Sequence, residues 1–322
     1  MEVIGPDKCV APLRGSAVTI GAYDGLHIGH RRLLAQLTSL AGERELTSVV
    51  VTFDRHPASV VRPGTAPLLL TSLEQKIQLI AECGIDRTLV IPFDHKRAEE
   101  SAEEFVEEVL VAKLGTRLVV VGEDFHFGHS RRGNVKMLAD KGSEFGFEVV
   151  GVALSKTSGE PVSSTRIRRL LANGDVEEAS TLLGRDYEVS GEVVHGDGRG
   201  ASLVGFPTAN LAIPTGFVVP GEGIYACRYR RPDGTLYSAA VSVGRRPTFY
   251  GEDDEVLDPV VEAYIMDFDG DLYGEVGTVS FVARLRAERK FDSIEELAAQ
   301  MSEDVEQAES VLAGRGERDL LS

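Results

Sequence analysis

The hydrophobic pattern of this 322-residue chain changes character once, near Gly184. Before that point, strand-like and helix-like runs alternate. The valine-rich stretch 46–53 reads as a strand, and 72–83 has helical apolar spacing at Leu73, Ile77 and Ile80. A strand is expected over 88–92, then a helix over 101–114 opened by a capping box of Ser101 and Glu104. Residues 118–122, 135–145 and 147–152 continue as strand, helix and strand. This alternation predicts an α/β class with a doubly wound parallel sheet, whose ligands bind beyond the carboxyl ends of the strands. From Tyr187 onward the strands follow one another directly, over 187–195, 224–230, 236–243, 260–268 and 276–285. Gly, Pro and Asp turns separate them, with Pro232-Asp233-Gly234 as a hairpin signal, so a small β-barrel or sandwich is expected. A closing helix over 293–312 places Ile294, Leu297, Met301, Val305 and Ala308 on one face. The reading divides the chain into domains 1–184 and 185–322.

The net charge of −17 is uneven, because residues 251–322 hold 20 acidic and 6 basic side chains. No broad basic surface remains for nucleic acid, and none is expected as a partner. No apolar run approaches the ~18–20 residues of a bilayer span, so no membrane partner is expected either. Cys9, Cys83 and Cys227 have neither disulfide-framework nor zinc-ligand spacing. The first eight residues lack the basic-then-apolar layout of a signal peptide. Both features make a reducing cytoplasm the expected location.

Five segments carry chemistry. The first is Gly21-Ala22-Tyr23-Asp24-Gly25-Leu26-His27-Ile28-Gly29-His30, between the apolar run 17–20 and a helix with Leu33, Leu34 and Leu37. Two imidazoles three positions apart, at the positive end of a helix, face whatever anion docks there. Gly29 removes a side chain between them and lets a phosphate approach the backbone. With Gly21 and Asp24 in the same turn, this is a site for a nucleoside triphosphate attacked at its α-phosphorus. The second is Ser163-Ser164-Thr165-Arg166-Ile167-Arg168, hydroxyls and guanidiniums at another helix start. Imidazoles and Arg166 would stabilise charge on the α-phosphate, while a helix N-terminus holds the departing pyrophosphate.

The third segment, Gly122-Glu123-Asp124-Phe125-His126-Phe127-Gly128 with Arg131 and Arg132, suits a flat, phosphorylated acceptor. Thr52-Phe53-Asp54-Arg55-His56-Pro57 ends another strand and would line the same crevice. In the β-rich half, Gly196, Gly198, Arg199 and Gly200 precede Gly205-Phe206-Pro207-Thr208-Ala209-Asn210-Leu211. A glycine-rich flap beside Thr and Asn oxygens would hold a nucleotide–magnesium complex; in isolation the segment also reads as a β-turn. Glu262, embedded in Val260-Val261-Glu262-Ala263-Tyr264, either works as a base or points outward, opposite Val261.

Six segments in this order resemble the bacterial bifunctional riboflavin kinase/FMN adenylyltransferase family: GAYDGLHIGH, TFDRHP, VGEDFHFG, SSTRIR, GFPTANL and VEAY…DLYG. The resemblance runs from about Ser16 to Leu312. It implies a nucleotidylyltransferase domain, a barrel kinase domain, and riboflavin, FMN and ATP as substrates. FAD is the implied final product and Mg2+ the implied cofactor. Under the resemblance, His27 and His30 contact the ATP phosphates, joined by Ser164, Thr165, Arg166 and Arg168. Asp124, Phe125 and their loop face flavin or ATP. Thr208 and Asn210 ligate Mg2+, and Glu262 is the general base on the riboflavin hydroxyl. The chain departs from the family pattern at Ala22, Arg55, Arg246 and the acidic stretch 250–259. Two other enzyme readings remain on sequence alone: a class I aminoacyl-tRNA synthetase, for the literal HIGH, and another mononucleotide adenylyltransferase. The first lacks a lysine-rich second signature, and the second leaves the β-rich half unexplained. A non-catalytic flavin-binding module is the third, against which the intact His27, His30, Asn210 and Glu262 stand.

Overall fold

The computed structural model describes residues 1–5, 15–195, 207–249 and 255–315, with only the backbone at 245–249 and 255–258. Its backbone separates into two compact units, Met1–Ser164 and Thr165–Ser322.

In the first unit, β1 (Glu2–Ile4), β2 (Ser16–Ile20), β3 (Thr47–Phe53), β4 (Arg87–Ile91), β5 (Thr116–Gly122) and β8 (Glu148–Val152) form one sheet. Every neighbouring pair is parallel, in the order β1-β4-β3-β2-β5-β8. Val49, Val50 and Val51 are all fully buried, which is why β3 reads as a continuous apolar run rather than an alternating one. Val18, Val49, Val51 and Val119 enter the core on one face; Ala17, Val50, Leu118 and Val120 enter the core on the other. The helices covering the faces include α1 (Ile28–Glu43), α3 (Leu73–Glu82) and α6 (Val135–Phe145), with a short α2 (Ala58–Val61) and α4 (His95–Glu99) between strands. The Ser101/Glu104 capping box is present and opens α5 (Ala102–Phe105). The predicted single helix then continues as a wider π-helix over Val106–Lys113, which keeps Val106, Val109 and Leu110 in the core. Two small hairpins complete the unit: β6 (His126–Phe127) with β7 (Gly133–Asn134), and β9 (Lys156–Thr157) with β10 (Glu160–Pro161). Strand order reverses between β2 and β5, so the turn after β2 and the loop after β5 flank the switch point where such sheets bind ligands.

The second unit starts with α7 (Ser164–Asn173, counted from its first turn) and α8 (Val176–Leu183). Six antiparallel strands follow: β11 (Tyr187–Val194), β12 (Thr208–Ala212), β13 (Gly223–Arg230), β14 (Leu236–Phe249), β15 (Glu255–Ile265) and β16 (Val276–Arg286). They close as a barrel in the order β11-β12-β15-β14-β13-β16, the last pairing back to the first. Tyr187, Tyr225, Tyr229 and Phe281 are fully buried, Tyr225 meeting Phe281 edge-on at 5.3 Å. The closing helix α9 (Ile294–Gly314), capped by Ser293, packs Ala308 and Leu312 over Ala226, Ala240 and Val282 on the barrel's outer face. Strand β12 was not among the expected strands. The sequence offered a turn there, but Thr208–Ala212 pairs with β11 and β15 as a full barrel strand.

Candidate active sites

The turn from β2 into α1 is strained and tied down on all sides. Tyr23 and Leu26 hold left-handed backbone at φ 49 and 37, with Gly25 at φ 81 between them. Such conformations persist only where neighbours over-determine them. Asp24, 5% exposed, accepts hydrogen bonds from Leu70 N (3.0 Å), Thr71 N (3.1 Å) and Thr71 Oγ1 (3.3 Å), and Gly25 N donates back to Thr71 Oγ1 (3.1 Å). Tyr23 shares a 2.7 Å hydrogen bond with Thr19 Oγ1, and burial pushes its phenol far above the usual value. The Asp24 carboxylate therefore braces the loop that carries the histidines.

His27 is the N-cap of α1, its Nδ1 accepting from His30 N at 3.3 Å. In that bond Nδ1 is the acceptor, which puts the ring's proton on Nε2. The His27 and His30 rings stack at 3.6 Å and 14°, and Tyr23 meets His30 edge-on at 5.1 Å. His30 keeps some surface as a residue, but its Nδ1 is sealed and has no hydrogen-bond partner among the described residues. Burial, and then the neighbouring His27, hold the His30 imidazole well below its usual pKa, so it is neutral at pH 7. Gly29 has a packing role as well. A Cβ there would meet the His27 ring at 3.2 Å, so the missing side chain makes room for the imidazole.

Ser164 Oγ donates to the Asp24 carbonyl at 2.8 Å, which joins the start of the second motif to the first. Gly21 sits under the Tyr23 ring, where a Cβ would approach to 2.9 Å. Thr165, Arg166 and Arg168 follow on α7 in the second unit. Arg166 is 9% exposed, and its Nη2 donates to Glu178 of α8 at 2.7 Å. Asp124 and Phe125 lie just past β5. Asp124 is exposed, and the half-buried Phe125 stacks on the buried Phe127 at 5.5 Å and 11°. Past β3, burial opposes ionisation of Asp54, yet hydrogen bonds from Phe93 N and Arg55 hold its carboxyl below the usual value.

One residue in this region was not foreseen. Lys76 of α3 is 8% exposed and donates from Nζ to the carbonyls of Phe53 (2.9 Å) and Ala22 (3.2 Å). Burial lowers its pKa to about 8, against the opposing pull of Asp24 and Asp54. Its signal was present: position 76 falls three after Leu73 and four before Ile80, on the apolar stripe of the helix.

On the barrel, Ala209 and Leu211 of β12 are buried while Thr208 and Asn210 alternate to the outer face. Asn210 pairs in register with Glu262 of β15, and Glu262 with Ser242 of β14. Cross-strand partners stand ~5 Å apart on one face, so amide, carboxylate and hydroxyl form a row. Glu262 does point outward, opposite the buried Val261, but that outer face is the one α9 covers. Between them lies a cavity of about 350 Å3 lined by Thr208, Ser242, Glu262, Glu288, Phe291 and Met301, among others. Arg286 grips Asp304 of α9 bidentately at 2.7 and 2.6 Å, holding the helix to the end of β16. Gly198 and Gly200 lie outside the described residues. No cluster of three His, Cys, Asp or Glu side chains suited to a metal occurs among the described residues.

The histidine turn and the Asn210–Glu262–Ser242 row thus lie on two separate folds, a parallel sheet and a closed barrel. The FAD synthetase family description matches residues 10–166, and the riboflavin kinase description matches 183–312. The Haemophilus influenzae bifunctional riboflavin kinase/FMN adenylyltransferase is 36% identical over 298 residues, covering 92% of this chain and 94% of that one. Its counterparts from Escherichia coli K12 (91% of this chain, 92% of that one) and Bacillus subtilis 168 (91% of each) are 35% and 34% identical. A crystal structure described as the macrolide-efflux protein of Streptococcus pneumoniae superposes with a TM-score of 0.85 at 30% identity, covering 96% of this chain and 99% of that one. That name describes the other protein; no described helix here is long and apolar enough to cross a membrane. The chain belongs to the bifunctional riboflavin kinase/FMN adenylyltransferase family: it phosphorylates riboflavin to FMN and adenylylates FMN to FAD, with ATP as donor in both steps.

Proposed function

We propose that the two reactions divide between the histidine turn and the barrel face, with functional domains 1–184 and 185–322. The stacked His27–His30 pair at a helix N-terminus carries the first half of this reading. A phosphate oxygen of FMN attacks the α-phosphorus of ATP, the bond to the β-phosphate oxygen breaks, and pyrophosphate leaves. His27, its Nδ1 engaged as the helix cap, presents Nε2–H to the oxygens of the α-phosphate. His30, a neutral imidazole, stacks against His27. The N-terminus of α1 supplies its unpaired backbone N–H groups to the same charge. Ser164 Oγ holds the Asp24 carbonyl, and by motif Thr165, Arg166 and Arg168 are phosphate-binding groups. Asp124 and Phe125 face the nucleotide or the flavin, the half-buried Phe125 ring offering a plane for stacking.

In the barrel, Glu262 accepts the proton of the riboflavin 5′-hydroxyl as its oxygen attacks the γ-phosphorus, and ADP leaves. Thr208 and Asn210 offer neutral hard oxygens beside that carboxylate, a donor set that fits Mg2+ shared with ATP phosphates. When bound there, Mg2+ neutralises charge on the transferred phosphoryl group. Gly198 and Gly200 belong to the same nucleotide site by motif. The free cysteines Cys83 and Cys227 suit a cytoplasmic location, and the acidic balance gives nucleic acid no surface to bind.

Chromatography of flavins formed from riboflavin or FMN with magnesium and ATP separates the two sites. His27→Ala is expected to stop FAD formation and leave FMN formation intact. Asn210→Ala is expected to stop FMN formation while added FMN still becomes FAD. Loss of both products in a folded His27→Ala protein overturns the division.

A further inference from the structure

The strained turn before His27 needs external ties, and one of them is a buried cation. Lys76 bridges two backbone carbonyls from different parts of the sheet, Ala22 at the start of the turn and Phe53 at the end of β3. The Ala22 peptide immediately precedes Tyr23, the first left-handed residue of the turn. Thr52 Oγ1 reaches the same Ala22 carbonyl at 3.4 Å, a weaker tie from a neutral donor. The charged and titratable groups around the ammonium are Asp24 of the turn and Asp54, Arg55 and His56 beyond β3; all line one cavity of about 20 Å3 with Thr71 and Leu73. A lysine on the apolar face of an amphipathic helix is costly to bury. A merely structural link between two carbonyls does not require charge, since a neutral amide donates to both.

We propose that Lys76 is a positioning residue for FMN adenylylation: acting through the Ala22 carbonyl, it sets the backbone from which His27 and His30 meet the α-phosphate. The inference rests on the assignment of that reaction to the two histidines. A group acting this way affects kcat more than substrate affinity, because its effect is spent on transition-state geometry.

The full-length protein tests this through both of its activities, each followed from pH 6.5 to 9.5. In Lys76→Met, kcat for FMN adenylylation is expected to fall by roughly tenfold or more at pH 7, with the KM for FMN within about twofold and riboflavin phosphorylation unchanged. Lys76→Arg is expected to recover most of the loss and to keep its activity above pH 8, where the wild type declines as the ammonium deprotonates. A Lys76→Met protein with wild-type kcat overturns the inference, as does Lys76→Arg performing no better than Lys76→Met. If Lys76→Met does not fold, the Lys76→Arg profile decides, and an alkaline decline identical to the wild type's overturns the proposal. His27→Ala run alongside separates the two failures: if it still makes FAD, the assignment to the histidines falls. If it is inactive while Lys76→Met is unaffected, only the role of Lys76 falls.

Discussion

His30 is an imidazole that the fold keeps uncharged, and this has a signed consequence for stability. Its pKa lies well below the usual 6.5 in the folded protein. As pH falls below about 6.5 the unfolded chain takes up this proton before the folded one does, so stability drops with acidification. The Tm of the wild type is expected to fall between pH 7 and 5.5 more steeply than that of His30→Asn, measured by thermal melts of both proteins. At the barrel, Glu262→Gln keeps the shape and removes the proposed base. Its riboflavin phosphorylation should fall by ~10²–10⁴-fold in kcat, with FMN adenylylation unaffected, in paired steady-state assays. The histidine pair was legible in the sequence because cap position and spacing are local properties. The bracing role of Asp24 was not, because its partners Leu70 and Thr71 lie 46 and 47 residues away. Lys76 escaped for a related reason: a lysine is assumed to be solvated until the fold shows two carbonyls waiting for it.

The elements follow local rules where those rules are strong. Ser72 and Ser101 both form capping boxes, and Ser101→Ala should cost about 1 kcal/mol of stability. Denaturant melts of the full chain check this, with both activities retained. Strand β12 was missed because it is five residues long, follows a proline, and contains an asparagine that propensity assigns to turns. Its identity comes from the two strands that flank it, which no local window contains. The closing helix was legible from its apolar stripe, but the Arg286–Asp304 clamp was not, since Asp304 reads as one more acid on a charged helix. Asp304 is 4% exposed, and Asp304→Ala leaves a half-buried guanidinium without its partner, a loss of about 2–3 kcal/mol. The variant should raise the KM for riboflavin, because α9 forms one wall of the cavity proposed as the kinase site, and should leave FMN adenylylation unchanged.

For the whole molecule, the change of texture at Gly184 predicted two folds correctly in kind: a parallel sheet and a closed antiparallel barrel. Compactness places α7 and α8 with the barrel, where Leu171, Val176, Ala179, Leu182 and Leu183 are buried and α8 packs on β11 and β16. Chemistry, by the proposed division, keeps the Ser164–Arg168 motif with the sheet. Fragments 165–322 and 185–322 separate the two criteria: both should phosphorylate riboflavin, and the longer one should melt at the higher temperature. Loss of activity in both overturns the proposed kinase domain. The barrel also closes on a seam between its first strand and its last, with Tyr187 opposite Phe281. A ribosome adds ~5–20 residues per second, so the roughly 90 residues between those partners take on the order of 5–20 s to appear. Throughout that interval one edge of β11 has no strand to bind, and an unpaired edge is where chains stick to one another. The pace of synthesis through the second half of the message thus becomes a determinant of yield, and chaperone demand should concentrate there.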